Sequence, residues 1–185
     1  MNGLLATAMI AVLIGGPAAS PDTETVVYDL ALRAVVQRAS RARLAVPTAS
    51  ADLSKMWAHA AAPGSSTADL RTRSLAYAAP DTVEAFIHES SRSQRVPKAL
   101  GRLKAYRLVD AGRLAEAERT SAWERFARDE NVDSAGVARV SAIGFNAART
   151  EALVFVGDGS TTWFVLLRLG VAGWVVGYTD LIAEA

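Results

Sequence analysis

The spacing of apolar positions changes along the chain, and each change predicts a different kind of element. Leu4 to Ile14 (LLATAMIAVLI) is an uncharged apolar run, closed by Gly15-Gly16-Pro17-Ala18-Ala19-Ser20. A short apolar run ahead of small residues has the layout of a secretory signal peptide, and it falls short of the roughly 20 residues a membrane span needs. Cleavage is expected after Ala18 or Ala19, and residues 21–185 are expected to form one domain. No Lys or Arg precedes the run, so the alternative is an uncleaved N-terminal anchor over residues 1–20.

Beyond Pro21 the period becomes helical. Tyr28, Leu32, Val35, Val36 and Ala39 fall on one face, while Arg33, Arg38 and Arg41 project from others, as on an ordinary solvated helix. Ala42 to Ala51 reads as a short extended segment that Pro47 confines to an edge or a bend. Residues 58–79, rich in Ala, Ser and Thr around Pro63-Gly64-Ser65-Ser66, predict a long surface loop. Asp81 and Glu84 have capping-box spacing, and Val83, Phe86 and Ile87 supply the apolar stripe of a helix over 82–92. The same spacing recurs at Ser121 and Glu124, with Trp123 and Phe126 as anchors one turn apart, and Tyr106 to Val109 looks strand-like.

In the last third the period shortens to that of strands. Val137 to Phe145, Ala152 to Val156, Thr162 to Leu167 and Trp174 to Tyr178 are β-rich runs separated by the turn signals Asn146 to Arg149, Gly157-Asp158-Gly159-Ser160 and Gly170 to Gly173. The apolar density of Phe164 to Leu167 calls for cover on both faces. The expectation is an α+β fold, with short helices packed on a C-terminal four-stranded antiparallel meander.

Composition narrows the chemistry. The chain has 185 residues, with 20 Lys and Arg against 19 Asp and Glu, so no basic excess marks it as a nucleic-acid binder. It has no cysteine, which excludes disulfides, thiolate nucleophiles, cysteine zinc sites and iron–sulfur clusters. Histidine occurs only as His59 and His88. Motifs for zinc proteases, serine hydrolases, phosphate-binding loops and dinucleotide folds are missing, and no cofactor or metal is implied. His88-Glu89 has no second histidine one helical turn away. The acidic clusters Glu116/Glu118 and Asp129/Glu130/Asp133 would need placing across a cleft to act as a hydrolytic pair.

Trp163, Trp174 and Tyr178 lie on adjacent predicted strands and are the candidate binding residues, with core packing as the competing role.

Ser141 to Asn146, Arg149 to Gly157, Phe164 to Leu167 and Gly173 to Val176 together resemble an uncharacterised family of bacterial secreted proteins. That family pairs a GFN…ALV-VG run with a VLL…GW-V run. Tyr28 to Val36 and Trp123 to Phe126 sit where it places its first helix and a Trp-containing segment. Many relatives carry a longer Cys-Gly-rich loop where this chain has Asp158 to Thr161. The resemblance implies export and a helix-plus-meander fold, without an assigned activity.

The expected function is therefore that of a secreted or periplasmic, non-enzymatic protein that binds a protein, a peptide or an envelope ligand. It would meet a membrane only if the N-terminal segment stays attached. The alternatives are a small extracytoplasmic hydrolase working around His59 or the acidic 129–133 segment, and a membrane-tethered accessory subunit.

Overall fold

The computed structural model describes residues 21–36, 43–60, 75–158 and 161–184. The proposed signal segment, Arg38, Ala39, Arg41 and positions 61–74 of the expected loop lie outside them. The elements in chain order are α1 (Pro21–Val35), β1 (Arg43–Pro47), α2 (Ser54–Ala60), α3 (Pro80–Ser90), a 3-10 turn (Lys98–Arg102), β2 (Tyr106–Val109), α4 (Ala111–Arg119), α5 (Trp123–Glu130), β3 (Val132–Val137), β4 (Arg139–Val140), β5 (Gly144–Phe145), β6 (Glu151–Gly157), β7 (Thr161–Gly170) and β8 (Gly173–Glu184). This is the α+β arrangement that the sequence predicts.

The meander is present, with its first strand in two pieces. β6, β7 and β8 pair in succession, antiparallel, while β4 and β5 lie one after the other along the free edge of β6. The run Val137–Phe145 is interrupted because Val137 belongs to another sheet, paired with Ala45, and because Ser141 supplies side-chain bonding in place of a regular ladder. Its hydroxyl oxygen accepts from the Phe155 amide at 3.0 Å, and its own amide donates to the Phe155 carbonyl at 3.0 Å.

Strand alternation divides the apolar residues between two faces. Ala152, Val154, Val156, Val165 and Leu167 face α1, whose Val27, Tyr28, Ala31, Leu32 and Val35 are buried against them. Leu153, Phe164 and Leu166 face Trp57 of α2 and Phe86 of α3. The Phe164 ring stacks on Trp57 at 6.1 Å and meets Phe86 edge-on at 5.7 Å. The indole of Trp57 donates to Ser90 Oγ at 2.8 Å, so its one polar atom is satisfied inside the core. At Gly144 the α3 backbone comes so close that a Cβ would stand 2.2 Å from Phe86 Cα.

A three-stranded parallel sheet, ordered β2-β1-β3, was not expected from the sequence. β1 is its central strand rather than an edge, and Pro47 is tolerated because it is the last residue of the strand. One face, with Leu44, Val46 and Tyr106, joins the α1 core. The other, with Ala45, Val109, Val132 and Val137, is closed by Leu114, Ala117, Phe126 and Ala127 from α4 and α5.

Both expected capping boxes are replaced by other devices. α3 starts earlier, at Pro80, with Ala79 as N-cap and no side-chain cap. Proline suits that first position because its missing N–H has no helical partner there. The Ala79 amide donates instead to Glu151 at 2.6 Å, and Asp81 accepts from Thr82 and Ala147. Ser121 has φ +53 and closes α4, with its amide bonded to the Glu118 carbonyl and the Ala122 amide to the Ala117 carbonyl. That is a Schellman ending, so its hydroxyl does not cap α5. Trp123 and Phe126 do stack, at 5.3 Å.

Candidate functional site

Between α1 and α3 lies a cleft of about 270 Å³, lined by Glu24 and Tyr28 of α1, Ala85 and Glu89 of α3, Gln94, Arg95, Ile143, Phe145 and Arg149. Its walls are set by packing. Tyr28 is buried, and its hydroxyl donates to the Ser141 carbonyl at 2.9 Å, which ties α1 to the link between β4 and β5. Burial, reinforced by the charge of Glu24, pushes the phenol well above the ordinary tyrosine range, so it stays neutral.

On the α3 wall Glu89 is already engaged. It accepts from Arg92 at 2.9 Å and Gln94 at 2.5 Å, and its partner on the other oxygen is His88 at 2.9 Å. Partial burial would raise this carboxyl, but the three partners outweigh it and hold the pKa below the usual glutamate value. Gln94 is fixed in turn by its amide bond to Ser50 Oγ at 2.9 Å.

The third wall is the turn after β5. Arg149 has φ +54, an uncommon conformation for a side-chain-bearing residue, held by its amide bond to the Asn146 carbonyl at 2.9 Å. The Asn146 side-chain oxygen accepts from the Thr150 and Glu151 amides at 2.8 and 3.0 Å, which locks the turn. The Arg149 guanidinium lies 4.1 Å above the Phe145 ring, and Phe145 meets Trp174 edge-on at 5.9 Å. A cation held over a ring face in this way is attracted by the ring's π-electrons. Among the described residues, Glu24, Arg95 and Arg149 have no ion-pair partner.

The predicted aromatic row is divided by the sheet. Trp163 and Trp174 pack with the α1 face, Tyr178 with the opposite one, and all three are half-buried. Trp163 donates to Thr161 Oγ1 at 3.1 Å, and Tyr178 packs on Tyr77 with ring centres 4.3 Å apart. Only Trp174 adjoins the cleft, through Phe145. Glu24, Arg95 and Arg149 were missed because they come from distant segments. The one local signal was the turn at Asn146 to Arg149.

The clustered acids sit on arginines. Glu116 pairs with Arg119 at 2.6 Å, Asp129 with Arg125 at 3.9 Å, Glu118 with Arg139, and Glu130 with Arg113 and with Arg107 at 3.4 Å. His59 falls in α2, and the side chains of His59 and Asp133 lie outside what the structure describes. Among the described residues no group of three or more His, Asp or Glu could hold a metal ion, and no helix is long and apolar enough to cross a membrane. No protein-family model, no curated protein and no solved structure matches the chain.

Proposed function

We propose that the chain is a secreted binding protein that holds a small polar ligand in the cleft between α1 and α3. The observation that carries this reading is the convergence of Glu24, Arg95 and Arg149 on one concave site without an ion-pair partner among the described residues. Convergent polar groups in a preformed recess are what ligand sites require. The volume of about 270 Å³ lies beneath the roughly 300 Å³ at which drug-sized sites begin, which favours a small ligand. Export is supported by the apolar run Leu4 to Ile14 with its small-residue end, and by the resemblance of residues 141–176 to secreted bacterial proteins.

The test has two parts. Full-length protein is expressed in a bacterial host, the cells are fractionated, and the intact mass of the product is measured. The expected product is exported and shortened by about 18 to 20 residues, within the usual extent of signal removal. A full-length cytoplasmic product overturns the export reading. The purified product is then titrated with a small-fragment set while backbone amide shifts are recorded. Shifts clustered at Tyr28, Gln94, Phe145 and Arg149 are expected, whereas shifts elsewhere, or none, overturn the site.

A further inference from the structure

We infer that the ligand of this cleft is a free acidic amino acid, a molecule with two carboxylates and one ammonium. The inference rests on the cleft being the ligand site, and it follows from charge matching. Glu89 does not count, because Arg92, Gln94 and His88 already occupy it. Among the described residues that line the cleft, the charged ones without an ion-pair partner are Arg95, Arg149 and Glu24. A pure dianion would leave Glu24 facing like charge, and a neutral sugar would leave all of these charges without counter-ions. Two carboxylates and one ammonium give each a partner of opposite sign. Arg149 is the best prepared of the three. Its guanidinium already rests over the Phe145 ring before any ligand arrives, and a guanidinium offers a carboxylate two parallel N–H donors. A donor group already held over a ring costs less ordering entropy on binding.

The test is a calorimetric titration of the exported product with L-glutamate and L-aspartate, and then with L-glutamine, glutarate and N-acetyl-L-glutamate. Saturable binding of at least one acidic amino acid, with Kd below about 1 mM, is expected. Glutamine lacks one carboxylate, glutarate lacks the amine, and the acetylated acid has no ammonium, so each should bind at least about tenfold more weakly. Arg149→Lys keeps the charge but loses the planar fork, and Glu24→Gln loses the ammonium partner; each should weaken binding by about tenfold or more. The thermal transition of both variants is measured alongside to show that they remain folded. Equal binding of glutarate and glutamate, or an unchanged affinity in Glu24→Gln, overturns the assignment. If fragments shift the cleft amides but neither acidic amino acid binds, this inference falls and the cleft stands; if nothing perturbs the cleft, both fall.

Discussion

At the centre of the antiparallel sheet, β6 and the Phe164–Leu167 stretch of β7 are covered on both faces by apolar side chains, whereas the outer face of the parallel sheet is closed by two short helices and edged with ion pairs. In the first region Phe164 touches Trp57, Phe86 and Phe155, and the helix backbone sits directly on Gly144. In the second, small residues such as Ala45, Ala117 and Ala127 leave less apolar surface to bury, and Glu130 is flanked by Arg107 and Arg113 at the end of α5. Burial scales with apolar area, while ion pairs with one exposed partner contribute little. The antiparallel sheet should therefore carry most of the stability, and the α4–α5 layer should open first.

The largest effect is expected from Phe164→Ala, which empties the centre of the aromatic cluster and should cost about 4 kcal/mol in denaturant unfolding. A loss comparable to that of a surface substitution would break the contrast between the regions. Gly144→Ala should cost about 3 kcal/mol, because the added methyl meets main chain that cannot rotate aside.

Glu151→Gln should come next, at about 2 kcal/mol near neutral pH. This buried carboxylate accepts from the Ala79 amide at 2.6 Å, Thr82 Oγ1 at 2.8 Å and Arg168 at 3.0 Å, and so joins α3 to the sheet. Burial alone would raise its pKa, yet those donors win and hold it below the ordinary value of 4.5. A carboxyl depressed in the folded state stabilises above its unfolded pKa, and that stabilisation is lost as pH falls through the folded value. Stability should thus decline as pH drops below about 4.5, with a shallower decline in Glu151→Gln, as thermal melts across an acid pH series would show.

Glu130→Gln should cost about 1 kcal/mol and act locally. Hydrogen exchange should quicken in α4 and α5 and stay slow in β6 and β7; uniform quickening would mean that the two regions unfold as one unit. Val171→Ser, at the fully exposed tip of the β7–β8 hairpin, should change stability by less than about 0.5 kcal/mol.

The same contrast explains what was legible in the sequence. β6, β7 and β8 are long, joined by short turns, and paired with their neighbours in the chain, so alternation and turn residues such as Asp158 and Gly173 were sufficient to place them. The parallel sheet is built from short strands whose partners are remote, as in Leu44 with Tyr106, and no local pattern reports such pairing. α4 carries an Asp110 cap that accepts from the Arg113 amide at 2.9 Å, a signal hidden because Asp110-Ala111-Gly112 also reads as a turn. At the site, turn chemistry around Asn146 was readable. The meeting of Glu24, Arg95 and Arg149 was not, since it depends on how α1 and α3 dock on the sheet.

The contact between Gly144 and Phe86 has a kinetic consequence. Ala85 and Glu89 lie beside Phe86 on α3, Phe145 follows Gly144 on β5, and the Tyr28 hydroxyl ties α1 to the Ser141 carbonyl, so the three walls of the cleft are joined through the chain between β4 and β5. The gap has a fixed gauge. A ligand entering it should do so in one bimolecular step, with an observed rate that rises linearly with concentration and no slow phase from a closing motion.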